Sequence, residues 1–383
     1  MASISAPGRV RGRTPGTSLR SALRRVAEAA VTPLQLDDVL DVFHPLRGNR
    51  DDAGLCGRIV AVTSETAESA TILVKPGRDW AGHVPGQYVR VGVDVDGVRL
   101  WRTYSLTHGP RRDRNLSFTV KAIPGGVVSN HLVHRSRPGQ MLQLEQAEGE
   151  FVLPTPIPRK LLLVTAGSGI TPVIGMLRNL FSRRVPVATD ITLVHVNQRE
   201  SSAMFRDELR AHATAGNLTL VERYDDSHGI LDVDHLDELV PDLAERLTYA
   251  CGPAGLLDAL EKHHADRGLS LTTERFRPVL LDPADAGLGG TITFADGREV
   301  EADGTTPILD AAEGAGVLMP SGCRMGICMG CVIPMTSGAV RDLRNGAITT
   351  AVPGETGPEG VRIQTCISAA AGACHVDEGA RSR

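Results

Sequence analysis

The sequence predicts a multidomain protein with three folded modules, which are an antiparallel β-barrel, a doubly wound α/β domain and a small α+β domain that contains clustered cysteines. Three observations support this division. The chain has 383 residues, and a domain takes about 150 residues. Short strand-like segments give way near residue 159 to strands that alternate with helices. Four of the seven cysteines lie between positions 323 and 366.

The composition is that of a globular protein. Hydrophobic residues make up 42% and charged residues 22% of the chain, which excludes wholesale disorder and a collagen-like fibre. A spanning helix is excluded because no apolar stretch reaches about 18 residues, and the start of the chain lacks the apolar core of a secretory signal. We therefore expect a cytoplasmic protein whose clustered cysteines bind metal.

The charge is uneven along the chain. Residues from 288 onward carry 11 acidic and 7 basic side chains, whereas acids and bases balance before them. Residues 1–25 contain six arginines and no acid. Residues 18–31 predict a helix with an apolar stripe, which suggests either peripheral membrane contact or packing on the barrel. The predicted modules are a basic arm and helix at 1–52, the barrel at 53–156, the α/β domain at 157–279, a linker at 280–289 and the cysteine domain at 290–378.

Evenly spaced short strands separated by Gly, Pro and Asp predict the antiparallel barrel. The strand segments are CGRIVAVTS, ATILVKP, QYVRVGVDV, VRLWRTYSL, NLSFTVKA and QMLQLEQ. A helix near Val127–His134 interrupts them.

The α/β domain begins with KLLLVTAG, a continuous apolar run that is typical of a parallel strand buried on both faces. The predicted order that follows is a helix at Ile170–Phe181, the strand ITLVHVN, a helix at Ser202–His212, the strands NLTLVERY and LTYAC, a helix at Gly255–His264 and the strand LTTERF.

The cysteine spacing predicts a 2Fe–2S cluster. Cys323, Cys328 and Cys331 are separated by four and two residues, and Cys366 follows after 34 more. This is the plant-type ferredoxin spacing, whereas zinc sites favour paired two-residue spacings. Cys374 is the alternative fourth ligand, but Cys366 is preferred because it follows the predicted strand VRIQ. The segment PSGCRMGICMGC closely resembles the cluster loop of plant-type ferredoxins.

Two elements of the barrel are candidates for a binding site, and the second has the features of an anion site. Arg102, Tyr104 and Ser105 lie together in WRTYSL, and Gly126 and Ser129 lie where a helix is expected to begin. An arginine fork and a helix N-terminus both suit a phosphate, and a tyrosine ring is a stacking surface.

The α/β domain carries a glycine-rich turn between its first strand and first helix. Gly167, Gly169, Thr171 and Pro172 occupy this turn, where backbone N–H groups can approach a pyrophosphate. Proline stands at the third glycine position of the dinucleotide fingerprint, and it is compatible with a first helical turn.

Together these motifs resemble the ferredoxin–NADP reductase superfamily fused to a C-terminal plant-type 2Fe–2S ferredoxin domain of β-grasp-like fold. The resemblance covers about residues 50–376. It implies that the flavin is bound by Arg102, Tyr104, Ser105, Gly126 and Ser129, as FAD with FMN as the alternative. The segment TPLQLDDVLDVFHPL more loosely resembles the leader of actinobacterial reductases that feed acyl-CoA desaturases.

The resemblance also implies the residues around the nicotinamide. Cys251 is expected near its reactive carbon, next to Gly252 and Pro253, and Glu274 and Phe276 are expected near the flavin ring. Ser105, Cys251 and Glu274 are the predicted catalytic residues.

The residues after ITLVHVN predict NADPH rather than NADH. This strand ends 30 residues after Gly167, where an NAD site would place an acid against the ribose. The chain has Arg199 and Ser201 there, which suit a 2′-phosphate, with Glu200 between them. Glu200 turned toward the ribose would instead favour NADH.

The expected function is the conversion of a two-electron hydride donor into single electrons. Hydride electrons from NADPH would pass through the flavin to the cluster and then to an acceptor, which is expected to be a di-iron fatty-acyl desaturase or alkane hydroxylase. The alternative acceptor is a Rieske ring-hydroxylating oxygenase. A non-catalytic redox sensor or scaffold is the alternative of another class, and the intact cysteine set argues against it. No nucleic-acid partner is expected.

Overall fold

The computed structural model contains three sheets that follow one another along the chain. It describes residues 54–95, 97–182, 188–276, 287–321, 324, 326, 330–353 and 360–379. The predicted basic arm and helix, most of the predicted linker, and Cys323 and Cys328 lie outside the described residues. Within the described part, no helix is both long and apolar enough to cross a bilayer.

The first sheet has six antiparallel strands in the order β4-β3-β6-β1-β2-β5. A bridge between Leu106, which directly follows β4, and Phe118 of β5 joins the two edge strands and closes the barrel. Val89, Val91 and Val93 alternate along β3 and are fully buried, as the two-residue period requires. The elements are β1 (Cys56–Thr66), β2 (Ser69–Pro76), β3 (Tyr88–Val95), β4 (Val98–Ser105), β5 (Leu116–Lys121), α1 (Val127–His134) and β6 (Met141–Leu144).

The second sheet is parallel, with the order β11-β10-β7-β8-β9. Leu161 and Leu163 of β7 join the hydrophobic core on one face, and Leu162 and Val164 join that on the other, which explains the continuous apolar run. The strands are β7 (Lys160–Ala166), β8 (Asp190–Asn197), β9 (Thr219–Tyr224), β10 (Leu247–Cys251) and β11 (Leu271–Glu274). The helices are α2 (Ile170–Phe181), α3 (Arg206–Thr214), α4 (Asp225–His228), α5 (Leu236–Leu239) and α6 (Ala254–Arg267).

The third sheet is mixed, with the order β13-β12-β17-β14-β15 and with β16 paired to β14. Ile308 and Ala312 of α7 pack into its core beside Phe294. The elements are β12 (Gly290–Thr293), β13 (Glu299–Ala302), α7 (Ile308–Gly314), β14 (Val332–Asp342), β15 (Ile348–Ala351), β16 (Val361–Gln364) and β17 (Ser368–Val376). The three sheets confirm the predicted fold class.

The helix predicted at Ser202–His212 is wrong at its start. The structure has a short 3-10 turn at Glu200–Ser202, and α3 begins only at Arg206. Met204 and Phe205 are buried in the core, and Phe205 has a φ of 57°. The chain therefore turns inward to bury these two side chains before the helix begins.

Candidate functional site

A cavity of about 190 Å³ lies between the barrel and the parallel sheet. Tyr104 and Ser105 line it from β4, while Thr171 and Glu274 line it from the parallel-sheet domain. The Tyr104 ring is stacked on Phe118, with centroids 5.1 Å apart and an interplanar angle of 11°. Burial raises the pKa of Tyr104 above its ordinary value, so this wall is a neutral aromatic surface that suits a planar cofactor.

A second cavity, of about 570 Å³, runs from Tyr104 to the turn before α1 and is also lined by Arg102 and Ser129. A Cβ at Gly126 would lie 2.5 Å from the Ser129 hydroxyl oxygen, so the glycine leaves room for the Ser129 side chain beside the turn. No side chain caps the N-terminus of α1. Backbone N–H groups and a guanidinium are the donors that a phosphate requires, so these residues fit the phosphate end of a flavin.

The third domain supplies the far wall of the second cavity. Asp310 and Glu313 of α7 line it together with Arg324 and Cys366. One Arg102 nitrogen, Nη2, lies 3.7 Å from Glu313 Oε2, while Arg324 pairs with Asp310 at 2.6 Å and also with Glu313. The predicted flavin-phosphate residues and a predicted cluster ligand therefore face one shared cavity.

Two of the four predicted cluster ligands lie in the described part of the chain. Cys331 and Cys366 are buried, and their sulfur atoms are 3.2 Å apart. At about 2.3 Å for each metal–thiolate bond, two sulfurs this close can bind one metal atom. The Thr365 hydroxyl donates to the Cys331 carbonyl oxygen at 3.0 Å and ties the two ligand segments together. This thiol pair fits a 2Fe–2S cluster.

Cys374 lies elsewhere in the same domain. It belongs to β17, where it pairs with Ile292 and Gly338 and packs in the main core of the third sheet. Burial raises the pKa of Cys374 to about 11. Cys374 thus packs among core side chains, whereas the Cys366 sulfur lies 3.2 Å from that of Cys331, which supports Cys366 as the fourth ligand.

A third cavity, of about 570 Å³, lies at the carboxyl edge of the parallel sheet. Gly167 and Gly169 line it from the turn after β7, and Gly252 and Pro253 line it from the turn after β10. A Cβ at Gly169 would lie 1.9 Å from the Cys251 carbonyl oxygen, so the two turns touch only because glycine is there. Thr171 and Pro172 are buried in the first turn of α2, where the Thr171 hydroxyl donates to the Ser168 carbonyl oxygen at 2.9 Å. The edge fits a dinucleotide.

Cys251 and Glu274 stand side by side at the ends of β10 and β11. The distance from Cys251 Sγ to Glu274 Oε2 is 4.0 Å. Burial raises the pKa of the Cys251 thiol well above its ordinary value and that of the Glu274 carboxyl to about 8. At neutral pH both groups therefore hold their protons beside the cavity.

Phe276 lines all three cavities and is 38% exposed. It follows β11 directly after Arg275, which pairs with Asp258 and Glu261 of α6 at 2.8 Å. The aromatic ring thus lies where the nucleotide cavity meets the other two.

The residues that follow β8 differ in whether they line the third cavity. Arg199 and Ser201 are exposed and do not line the third cavity, whereas Ser202 does. Glu200 pairs with Arg210 of α3 at 2.9 Å and lies 3.6 Å from Arg206. Its carboxylate is therefore engaged by α3.

Family models of known proteins match the chain in the same order as its sheets. They are an oxidoreductase FAD-binding domain at residues 62–153, an oxidoreductase NAD-binding domain at 163–262 and a 2Fe–2S iron–sulfur cluster binding domain at 293–371. A protein named NADPH oxidoreductase from Mycobacterium tuberculosis (strain ATCC 25618 / H37Rv) is 44% identical over 364 residues, which cover 93% of this chain and 92% of that protein. The chain belongs to the ferredoxin–NADP reductase superfamily, in the form that carries a C-terminal 2Fe–2S domain.

One further relative and one solved structure are similar to the chain. The stachydrine N-demethylase reductase subunit Stc4 of Rhizobium meliloti (strain 1021) is 30% identical over 290 residues, with 70% of this chain and 81% of that protein covered. Phthalate dioxygenase reductase has the same fold, with a TM-score of 0.60, 21% identity and coverage of 85% of this chain and 98% of that chain. As a member of this superfamily, the chain is an oxidoreductase that uses a flavin, a nicotinamide nucleotide and a 2Fe–2S cluster.

Sequence reasoning missed several residues that this reductase places at the site. Ser202 and Asp225 line the nucleotide cavity, and Glu313 lies beside Arg102. The only available signal for Asp225 was its place after a predicted parallel strand, at the edge where ligands bind. Nothing in the sequence around Glu313 indicates its contact with the barrel, since the two residues are far apart in the chain.

Proposed function

We propose that this reductase takes electrons from NADPH and delivers them singly, through FAD and the cluster, to a terminal oxygenase or desaturase. The observation that carries this proposal is the second cavity, whose wall includes Tyr104, Phe276 and Cys366. A flavin bound there would supply the link between a two-electron hydride donor and a one-electron cluster. Anaerobic addition of NADPH to the purified holoprotein tests the proposal, because the electron paramagnetic resonance (EPR) signal of a reduced cluster is expected. No signal, with the flavin bleached, would contradict the electron order.

The residues of the chain have distinct tasks in this function. Arg102 and the N-terminus of α1 bind phosphate, while Tyr104 and Ser105 orient the ring system. Phe276 shields the flavin cavity from water, and its ring must move aside for the nicotinamide to enter. Cys251, a neutral, apolar thiol at the end of β10, would lie next to the bound nicotinamide.

Glu274 supplies a neutral carboxylic acid beside the reacting ring. Since the pKa of Glu274 is raised to about 8, the acid form is present at neutral pH and is lost as the pH rises through that value. We expect NADPH–ferricyanide activity to fall above about pH 8 in the wild type. Glu274→Gln, which has a neutral donor at every pH, is expected to remove this fall while retaining activity. A pH profile with the same descending limb in both proteins would show that another group titrates.

The preference for NADPH rests on two observations. Glu200 is held by Arg210 at 2.9 Å, which leaves Arg199 as the exposed charge next to the cavity residue Gln198. The similar mycobacterial protein is named an NADPH oxidoreductase.

FAD is proposed as the flavin because the matching family model is that of an oxidoreductase FAD-binding domain. Chromatography of the flavin released by denaturation of the holoprotein is expected to give FAD. Release of FMN would reverse the assignment.

For the acceptor we propose a di-iron fatty-acyl desaturase or alkane hydroxylase, in line with the resemblance of residues 32–46. A Rieske oxygenase is the second candidate, since phthalate dioxygenase reductase has the same fold. Reduction of one purified acceptor of each class by the NADPH-reduced protein decides between them.

Peripheral membrane contact is proposed for residues 18–31, on the basis of their apolar stripe and arginines. We expect the full chain to co-sediment with anionic vesicles more than a variant that lacks residues 1–31. Equal sedimentation would contradict the proposal.

A further inference from the structure

We propose that Arg90 of the flavin barrel is a positioning residue for the cluster loop, which is residues 322–329. It would thereby set the geometry of electron transfer between the barrel and the third domain. Arg90 belongs to β3 and is 9% exposed. Its Nη2 donates a hydrogen bond of 2.8 Å to the carbonyl oxygen of Ser321, a residue 231 positions further along the chain. This bond directly joins the barrel to the segment that leads into the cluster ligands.

The same guanidinium also lies against the other end of the cluster loop. A Cβ at Gly330 would lie 2.9 Å from Arg90 Nη2, so the absence of a side chain there is what admits the guanidinium. Ser321 precedes and Gly330 follows the segment 322–329, which contains Cys323 and Cys328, and Gly330 adjoins Cys331. One barrel side chain thus contacts the chain on both sides of two predicted ligands and next to a third.

The barrel holds this guanidinium in a fixed orientation. Arg90 Nη1 donates to both carboxylate oxygens of Glu145, at 2.6 and 2.7 Å, and the guanidinium carbon lies 5.0 Å from the centre of the Trp101 ring. A planar fork can satisfy Glu145 and Ser321 at the same time, whereas the single ammonium of lysine cannot reproduce this geometry.

The effect of Arg90 on electron transfer rests on the proposed function. In the transfer from flavin to cluster, the reduced flavin loses one electron, and one iron of the cluster gains it. The rate depends on the relative position of the two groups, and Arg90 fixes the cluster loop against the barrel that binds the flavin. Arg90 lines none of the three cavities described above, so only the transfer from flavin to cluster should respond to its substitution.

Arg90→Lys tests the inference, with anaerobic stopped-flow absorbance to separate flavin reduction from cluster reduction. We expect the flavin phase to be unchanged and the cluster phase to slow by about tenfold or more, because small displacements of reacting groups have large effects on rate. The EPR signal of the dithionite-reduced cluster and its midpoint potential are expected to shift as well. These two readouts report on the loop even if the wild-type cluster accepts no electrons from NADPH, an outcome that would defeat the proposed function alone.

Arg99→Lys is the matched control, because Arg99 pairs at 2.8 Å with Asp94 on the surface of the same barrel. It should change neither phase. If Arg90→Lys does not fold, Glu145→Gln removes the ion pair from a side chain that is 40% exposed and should slow the cluster phase by about threefold. An unchanged cluster phase and EPR signal in the folded variant, or equal slowing of both phases, would overturn the proposal.

Discussion

Cys366→Ser should abolish NADPH-dependent cytochrome c reduction while most ferricyanide reduction remains. A serine hydroxyl is a far weaker iron ligand than a thiolate, and Cys366 lies 3.2 Å from the sulfur of Cys331. Mutation of groups that merely orient metal ligands costs about 10–100-fold, so loss of a ligand should lower cytochrome c reduction by at least about 100-fold. Ferricyanide can take its electrons directly from the flavin, which this substitution leaves in place.

The matched control is Cys374→Ser. This cysteine is as buried as Cys366 but lies in the strand core of the same domain, so the substitution should lower stability without loss of iron. Iron and sulfide analysis of both purified variants gives the answer independently of activity. A full cluster in Cys366→Ser, together with iron loss in Cys374→Ser, would transfer the ligand role to Cys374.

Arg199→Ala is expected to raise the KM for NADPH by roughly tenfold or more and to leave the KM for NADH nearly unchanged. A charge-assisted contact with a phosphate contributes about 1.5–3 kcal/mol, and NADH has no 2′-phosphate to make it. Steady-state kinetics with both nucleotides and ferricyanide as acceptor measure the change. Ferricyanide is the acceptor in every assay and can take electrons directly from the flavin. The comparison of the two nucleotides therefore does not depend on the cluster.

Arg99→Ala serves as the control, because Arg99 is also an exposed arginine but belongs to the barrel. It should alter neither KM. A wild-type kcat/KM that is higher for NADH than for NADPH would show that Arg199 does not bind a 2′-phosphate in this chain. The ion pair between Glu200 and Arg210 would then have to open for Glu200 to meet the ribose.

The local sequence pattern was sufficient to predict most of the helices and strands. The helices at Val127–His134 and Ile170–Phe181 and the strand LTYAC have the predicted bounds, because their periodicity and bounding Gly and Pro residues all act within a few positions. The helix at Ser202–His212 was predicted too early, since the burial of Met204 and Phe205 in the core outweighs helix propensity there. Propensity is worth tenths of a kcal/mol per residue, whereas a buried large side chain is worth about 1.5–3 kcal/mol.

The sequence by itself determined the three modules, their order and the chemical class of each binding site. Cysteine spacing, glycine-rich turns and strand periodicity are short-range features, because each extends over no more than a few tens of residues. Only the tertiary structure decided which of these sites share a cavity. The contacts of Arg90 with Ser321 and of Arg102 with Glu313 join residues that lie in different domains and far apart in the chain. Such contacts depend on how complete domains pack, and packing follows from whole surfaces rather than from any local run of residues.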